Sequence, residues 1–292
     1  MLLLTGATGL VGSALRRRLL ASGQPIRCLV RDPRRLGEDR VRVQIALGDL
    51  ADPPSFRNAM RGVSTVVHLA SAIRDQPRGS IEELSGIATW RLVDAARRGG
   101  AERFVFFSAL GASTQSRARV LRAKALAEEA VRESELAWTV FAPSFVYAPG
   151  DAYLTRIARL ALVPAVLPFP GRGRARLEPI WVSDVADCVM AALERDTASA
   201  RYELAGPDVL THEQIVMLAL RSLGRRRWLL RVPTPVLSRL LRALEQLAGP
   251  RALVTWDEVE LMEVTRLAAH GTADAGRLGV HPRSMAAVLG LS

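Results

Sequence analysis

A glycine-rich turn near the amino terminus has the residue types and spacing of a phosphate-binding loop. Residues 5–12 read TGATGLVG, follow a short apolar run and open an amphipathic stretch. Glycines there permit a tight turn, close approach of the backbone to a pyrophosphate, and close packing of helix on strand. The helix amino terminus offers unpaired amides and the positive end of its dipole to the phosphates. We therefore predict that a dinucleotide contacts Gly6, Thr8, Gly9, Leu10, Val11 and Gly12.

A single lysine is a second candidate for specific chemistry. The chain has 40 basic residues, and all but Lys124 are arginine. Lysine carries a compact, rotatable ammonium and arginine a planar fork, so the two are not interchangeable where a point charge is needed. Lys124 is either a solvated helix position or a group with a specific role. Together with the glycine turn, it is predicted to bind the cofactor and to belong to the catalytic site.

Residues at the tips of later strands would determine which cofactor binds. An acidic residue at the end of the second strand favours NAD, whereas an arginine accommodates the 2′-phosphate of NADP. Arg31 comes first there and Asp32 second, so NADP(H) is expected in preference to NAD(H), because a fork of donors on a phosphate is strong. The alternative is a solvated arginine loop. Further cofactor contacts are predicted at Asp49, which could accept from the adenine amino group, and at Leu50, Leu69, Ala70 and Ser71.

A doubly wound parallel sheet of the Rossmann type would position these residues. Short apolar runs alternate with helical stretches, and several runs are continuously apolar, as strands buried on both faces should be. The predicted strands are 2–5, 26–30, 41–46, 65–69, 104–108, 138–141 and 201–204. The predicted helices are 10–21, 54–60, 81–98, 117–135, 154–162, 182–194, 213–222 and 235–247. We expect an NAD(P)-binding domain at 1–150, with its sheet completed by later segments, and a smaller, mostly helical substrate or lid domain at 151–292.

Composition excludes several classes of protein. The net charge is +11, but the arginines are spread over nearly every segment and no nucleic-acid-binding motif accompanies them, so nucleic acid is not an expected partner. Cys28 and Cys188 are too few for a disulfide framework or a metal site. No apolar run reaches the length of about 18 residues that a membrane span needs. We expect a cytoplasmic protein, with peripheral attachment to a membrane left open.

These motifs together resemble the short-chain dehydrogenase/reductase superfamily in its extended and atypical branches. The resembling residues are 5–12, 29–31, 48–50, 68–71, 104–108, Lys124 and 143–151. Residues 178–186, 202–207, 211–220, 225–227 and Pro233 look like an atypical subgroup that includes the nucleotide-binding accessory subunit of respiratory complex I and its bacterial relatives. The resemblance implies an NAD(P) cofactor, a small-molecule substrate or quinone as a further ligand, and a monomer or a homodimer.

The chain departs from the family at the catalytic tyrosine. Active members carry a tyrosine four residues before the lysine, where it exchanges a proton with the substrate, but this chain has Val120 there. Ser108 is near the family's hydroxyl position, although Ala109 is an alternative. The resemblance therefore implies a cofactor holder, a sensor or an accessory factor. The alternative is an active oxidoreductase or isomerase with another proton donor, such as Ser108 or water.

Five other residues have structural and functional interpretations. His68 lies next to a strand end, where a structural role is the simpler interpretation. The remaining four could line the substrate cleft but are equally suited to packing or to capping a helix; they are Tyr147, Asp151, Trp181 and Asp184.

Overall fold

The computed structural model describes residues 1–162, 166–171, 173–195, 199–225, 227–232 and 255–291. The strands are β1 Leu2–Thr5, β2 Ile26–Val30, β3 Gln44–Leu47, β4 Thr65–His68, β5 Arg103–Phe107, β6 Ala137–Pro143, β7 Phe145–Tyr147, β8 Val166–Pro170, β9 Arg176–Leu177, β10 Pro179–Trp181, β11 Ala200–Leu204, β12 Leu210–Thr211 and β13 Trp228–Val232. The predicted helix 235–247 and Pro233 lie outside the described residues.

The helices are α1 Leu10–Ala21, α2 Pro53–Arg57, α3 Ala88–Arg98, α4 Arg119–Arg132, α5 Ala152–Leu160, α6 Val182–Leu193, α7 His212–Ser222, α8 Trp256–Met262, α9 Ala273–Arg277 and α10 Met285–Val288. Two short 3₁₀ turns, separated by a break at Gly37, lie within Pro33–Val41, and a 3₁₀ helix spans Asn58–Met60. A π-helical segment, Glu82–Ile87, leads directly into α3. No helix within the described ranges is long and apolar enough to cross a membrane.

Seven parallel strands form the central sheet in the order β11-β6-β5-β4-β1-β2-β3. The chain winds outward from β1 in both directions, and the strand order reverses between β1 and β4. In open α/β sheets, ligands bind beyond the carboxyl ends of the strands at such a switch point. The predicted doubly wound parallel sheet is therefore confirmed, and its crevice lies where the glycine turn leaves β1.

Helices cover both faces of this sheet, because successive side chains of a buried strand point to opposite faces. Leu2 and Leu4 belong to the apolar cluster beneath α1 and α6, whereas Leu3 belongs to the cluster beneath α2, α3 and α4. This arrangement explains why β1 is continuously apolar. A third cluster joins α5, α7 and β9 beside the sheet.

Two segments from beyond residue 150 contribute to the sheet layer. Strand β11 pairs with β6, and α6 packs against α1. Three two-stranded pairs, β10 with β7, β12 with β9 and β13 with β8, accompany the helices of the second half. The division into domains at residue 150 stays a prediction.

The predicted third strand, 41–46, is wrong at its beginning. Val41 ends the second of the two 3₁₀ turns and is 83% exposed, and the strand begins only at Gln44. The Asp32 side chain accepts a hydrogen bond from the Arg34 amide and starts a first 3₁₀ turn at Pro33; after a break at Gly37, where φ is +64°, a second turn extends to Val41 and delays the strand. The other predicted strands and helices within the described residues differ from their predicted ranges by at most three residues at their ends, apart from the short 3₁₀ and π segments.

Candidate functional site

The glycine turn is shaped by two positions where no side chain fits. Gly6 has a φ of +69°, and a Cβ there would lie 2.6 Å from the Ala70 amide nitrogen. A Cβ on Gly12 would lie 2.0 Å from the Gly6 carbonyl oxygen. The first glycine thus brings the turn against the end of β4, and the second packs α1 against the turn. Both contacts bring the start of α1 to the edge of the sheet.

The amino terminus of α1 opens into the crevice. Gly9 is the residue before the helix, and its amide donates to the Gly6 carbonyl over 2.9 Å. No side chain caps the helix, and its first turn contains no acidic residue. The amides of Leu10, Val11 and Gly12 precede the first hydrogen bond of the helix, from Ser13 to Gly9. This end of α1 has the polarity and the free donors that suit an anion.

Two adjoining cavities extend from the glycine turn along the carboxyl ends of the strands. The smaller has a volume of about 330 Å³ and the larger about 960 Å³. Both are lined by residues of the turn and of the segment after β4, namely Gly6, Thr8, Gly9, Leu69 and Ser71. The two cavities therefore form one cleft that passes over the turn.

The smaller cavity brings together the predicted residues at the tips of β2, β3 and β4. It is lined by Arg31, Asp49, Leu50, Leu69, Ala70 and Ser71. Arg35, which was not among the predicted cofactor contacts, also lines it. The Asp32 carboxylate bonds to the Arg34 amide at 3.0 Å and to its guanidinium at 3.1 Å. Arginines therefore face this cavity, while the neighbouring carboxylate is used within its own turn.

Asp49 is a buried carboxylate with partners of its own. It accepts hydrogen bonds from the Arg78 guanidinium at 2.8 Å and from the Ala51 amide at 3.1 Å. Burial acts to raise its pKa, but these hydrogen bonds and the charge of Arg31 outweigh burial and lower the pKa below its usual value. Asp49 is thus an ionised acceptor in the smaller cavity.

Lys124 lies in the wall of the larger cavity and is only 6% exposed. Its ammonium donates to the Phe107 carbonyl at the end of β5 and lies 4.9 Å from the centre of the Phe106 ring. Burial lowers its pKa to about 7. Val120, one turn earlier on α4, is also buried and lines the same cavity. The lysine therefore faces the cleft, with an apolar side chain at the family's tyrosine position.

Ser108 follows β5 and lines the larger cavity beside Ala109. Its side chain is buried, and its hydroxyl has no hydrogen-bond partner in the described part of the chain. Its backbone amide donates to the Phe141 carbonyl at 2.8 Å, which fixes its position. A buried hydroxyl that faces a cavity and has no hydrogen-bond partner is available to a ligand.

A tyrosine–histidine pair in the larger cavity was missed from the sequence. The Tyr153 hydroxyl and the His212 Nε2 lie 2.6 Å apart, and both residues line the cavity. Burial lowers the pKa of His212 to about 4 and raises the pKa of Tyr153. The pair is therefore neutral at physiological pH. The sequence carries no signal for it, because the two residues are 59 positions apart on different helices.

His68 and Lys124 have different surroundings although both are buried. The two ring nitrogens of His68 contact the Thr5 hydroxyl at 2.6 Å and the Thr89 hydroxyl at 3.0 Å. Burial, reinforced by the charge of Lys124, lowers the pKa of His68 to about 3. A neutral histidine with both nitrogens paired fits the structural role expected of it.

Four further residues considered from the sequence have packing or capping contacts. Asp151 caps α5 by accepting from the Leu154 amide at 2.7 Å, and it lines the larger cavity. Asp184 accepts from the Arg283 amide at 2.9 Å. The guanidinium of that arginine lies 3.8 Å from the centre of the Trp181 ring. Tyr147 is fully buried and is not among the residues that line either cavity.

Comparison with known proteins agrees with this architecture. Residues 6–196 match the model of a family described as NAD(P)H-binding. This chain belongs to the NAD(P)H-binding family. The match begins at the glycine turn and includes α6, which packs on α1. A nicotinamide dinucleotide is thus the cofactor class of the family, as the sequence predicted.

The similar sequences confirm the predicted resemblance. The chain is 32% identical over 244 residues to "NADH dehydrogenase [ubiquinone] 1 alpha subcomplex subunit 9, mitochondrial" of Arabidopsis thaliana, which covers 79% of the chain and 60% of the relative. It is 29% identical over 235 residues to the ceramide reductase of Caulobacter vibrioides, covering 80% of the chain and 73% of the relative. The chain thus spans less than two thirds of the plant subunit.

Two solved structures show the same fold. One is a nucleoside-diphosphate-sugar epimerase from Staphylococcus aureus, with a TM-score of 0.79, 19% identity and 99% coverage of both chains. The other is an NADPH-dependent quinone oxidoreductase from Escherichia coli in complex with NADPH, with a TM-score of 0.74, 16% identity and 99% coverage of both chains.

Proposed function

We propose that this protein holds NADP(H) along the cleft and acts as a cofactor-binding accessory or sensor protein. The observation that carries the proposal is the pair on α4, Lys124 and Val120, in the wall of the larger cavity. The lysine can bind the nicotinamide ribose. The valine cannot exchange a proton. A cofactor site is thus retained without the family's acid.

The cofactor would extend across both cavities. The pyrophosphate would lie over the amino terminus of α1, where the amides of Leu10, Val11 and Gly12 are free of capping side chains. The adenosine end would occupy the smaller cavity, with Arg31 and Arg35 near a 2′-phosphate. When bound, the nicotinamide supplies hydride chemistry at the larger cavity. The residues of this chain bind and orient the cofactor there.

The loss of the tyrosine argues against ordinary carbonyl reduction at this position. A positioned acid or base contributes about 10²–10⁴ in rate, and the Val120 side chain supplies none of it. The Lys124 ammonium is directed to the Phe107 carbonyl at the end of β5. Its retention in a chain with no other lysine fits a role in holding the cofactor.

We propose a respiratory or quinone context from the plant relative, whose name places it in an NADH dehydrogenase. A quinone or another small molecule would then enter the larger cavity.

We propose a monomer or a homodimer. The exposed Trp90 on α3 and Leu126 on α4, at 59% and 49%, support a dimer contact on these helices. A cytoplasmic location, with or without peripheral attachment to a membrane, stays a prediction.

A second function is favoured by the Tyr153–His212 pair. With its Nε2 protonated, His212 would donate to the tyrosine oxygen and leave the phenol proton free for a substrate oxygen. Both side chains line the cavity that Lys124 also lines. The protein would then be an NADPH-dependent reductase with a proton donor from the second half of the chain.

Binding and turnover measurements separate these two functions. We expect calorimetry to show tighter binding of NADPH than of NADH. Arg31→Ala should remove most of this preference and Arg57→Ala, at an exposed position outside both cavities, should not. An unchanged NADPH-to-NADH ratio in Arg31→Ala would refute the role of this arginine. Binding without oxidation by a panel of quinones, aldehydes and ketones supports the holder.

Two variants test the proton donor itself. Val120→Tyr should create carbonyl reductase activity if the rest of the site is intact. Tyr153→Phe should abolish any oxidation of NADPH that the wild type shows, without changing NADPH affinity. Oxidation by the wild type that Tyr153→Phe leaves intact would exclude this pair as the donor.

A further inference from the structure

We propose that the larger cavity binds an organic carboxylate with an apolar body, and that Arg266 holds its carboxylate group. This inference rests on the proposed function only in that the cavity adjoins the cofactor cleft. It adds a class of ligand that the protein would bind together with NADP(H), as a substrate or as a sensed molecule.

Arg266 is a buried arginine that lacks the partners other buried arginines have. It is 5% exposed and lines the larger cavity. Its Nε and Nη2 have no hydrogen-bond partner within the described residues. Arg16 is buried to the same degree, at 6%, but it pairs with Asp39 at 2.9 Å and donates to two backbone carbonyls. Arg16 shows that a buried arginine in this fold can have hydrogen-bond partners for its guanidinium, so burial alone does not explain the unpaired donors of Arg266.

Glu258, a carboxylate in the wall of this cavity, is already paired with other arginines. Its two oxygens bond to Arg74 at 2.7 Å and to Arg156 at 2.8 Å. Burial lowers the pKa of Arg266 to about 10, which still leaves it charged at neutral pH. A buried cation without a counter-ion is unfavourable, and an anionic ligand would compensate it.

The backbone of Arg266 is anchored on both sides. Its amide donates to the Arg176 carbonyl at 2.9 Å, and its carbonyl accepts from the Ser144 hydroxyl at 2.6 Å. The guanidinium therefore extends from a fixed point of the wall. Its charge reaches the pair: it adds to the effect of burial in lowering the pKa of His212, and it partly opposes burial, which raises the pKa of Tyr153. A ligand carboxylate on Arg266 would therefore lie near the tyrosine–histidine pair.

The rest of the wall determines the body of the ligand. Apolar side chains from α5, β8, α7 and α8 line this cavity, namely Ile157, Leu160, Phe169, Val216, Leu261 and Met262. Such a lining favours an alkyl or aromatic group. The planar fork of a single guanidinium matches a carboxylate in a two-point contact. The combination points to an amphiphilic carboxylate rather than to a small inorganic anion.

Octanoate and octanamide form a matched pair of probes, because they share the apolar chain and differ in charge. We expect the full-length protein saturated with NADPH to bind octanoate at least about tenfold more tightly than octanamide in calorimetry, a typical effect of a charged hydrogen bond. Arg266→Met should abolish this preference. Arg266→Lys should keep part of it, and Arg57→Met, an exposed control, should keep it in full.

Equal affinity of the wild type for both probes, or a preference that survives in Arg266→Met, would overturn the proposal. Arg266→Met should also fold with an undiminished melting temperature, because it removes a buried charge without a partner; a marked drop would mean that Arg266 is a structural cation. If Arg266→Met does not fold, complete loss of the octanoate preference in a folded Arg266→Lys contradicts the proposal as well. NADPH affinity is measured separately, so failure of cofactor binding is distinguishable from failure of this subsite.

Discussion

Replacement of Lys124 by methionine should stabilise the protein without cofactor and weaken its binding of NADPH. The ammonium is 6% exposed, and burial lowers its pKa from 10.5 to about 7. The charged form is therefore unfavourable in the folded state. Methionine has a similar length and no charge to bury. A stability gain with a functional loss is the pattern expected of a buried functional group.

The size of the effect depends on pH in a defined direction. Between pH 7 and pH 10.5 the unfolded chain holds a proton on Lys124 that the folded chain releases, so the free energy of unfolding rises with pH. Below pH 7 both states are protonated and the full cost, about 5 kcal/mol at about 1.4 kcal/mol per pH unit, is present. From pH 7 to pH 9 the wild type should gain about 2 kcal/mol relative to Lys124→Met.

Urea unfolding at pH 7 and pH 9 measures this difference. Wild type, Lys124→Met and the exposed control Arg57→Met should be compared without cofactor, with the slope of unfolding against urea checked for constancy. Other titrating groups affect all three proteins alike. In calorimetry Lys124→Met should bind NADPH at least about tenfold more weakly, because a charged hydrogen bond is lost.

Parallel pH dependence in wild type and Lys124→Met would refute the reasoning. It would mean that the ammonium is hydrated in the protein without cofactor and that its pKa is ordinary. Unchanged NADPH affinity in the same variant would contradict its proposed role in the cofactor site.

Three further predictions concern the framework of the site. Gly12→Ala should lower the free energy of unfolding by more than about 3 kcal/mol, because its Cβ would lie 2.0 Å from a backbone oxygen. Gly276→Ala, in a helix and with nothing within 4 Å of its Cβ, should raise the free energy of unfolding by about 0.5–1 kcal/mol. Thermal unfolding of both variants checks the contrast. Thr211→Ala should lose about 1 kcal/mol in urea unfolding, because the capping box of α7 is lost. His68 has a pKa of about 3, so it stays neutral while the unfolded chain takes up a proton below about pH 6.5; from pH 7 to pH 5 the wild type should lose about 2 kcal/mol relative to His68→Gln, and equal losses would contradict this.

The parts of the site predictable from the sequence were those made by neighbouring residues. The spacing of Gly6, Gly9 and Gly12 after an apolar run predicted a turn whose steric reasons the structure supplies. The interval of four between Val120 and Lys124 predicted that both face one side of a helix, and both line the larger cavity. Local geometry determines each of these relations, so one stretch of chain is enough to infer them.

Competing local interactions limited other predictions. The apolar Val41 suggested an early start for β3, but Asp32 and Pro33 start a 3₁₀ turn first. The same use of the Asp32 carboxylate leaves Arg31 and Arg35, and not Asp32, facing the smaller cavity after β2. The sequence alone could not show that Asp32, and not the adjacent Arg31, would form hydrogen bonds within the turn.

The sequence by itself determined the class of fold, the position of the glycine turn and the presence of Val120 at the family's tyrosine position. Only the tertiary structure brought Tyr153 beside His212 and placed Arg266 in the same cavity, with no counter-ion from the part of the chain that the structure describes. Helices α5 and α7 and the segment that carries Arg266 are far apart along the chain. They meet because their apolar faces can be buried only against one another and the sheet, and no pattern within any single segment encodes that meeting.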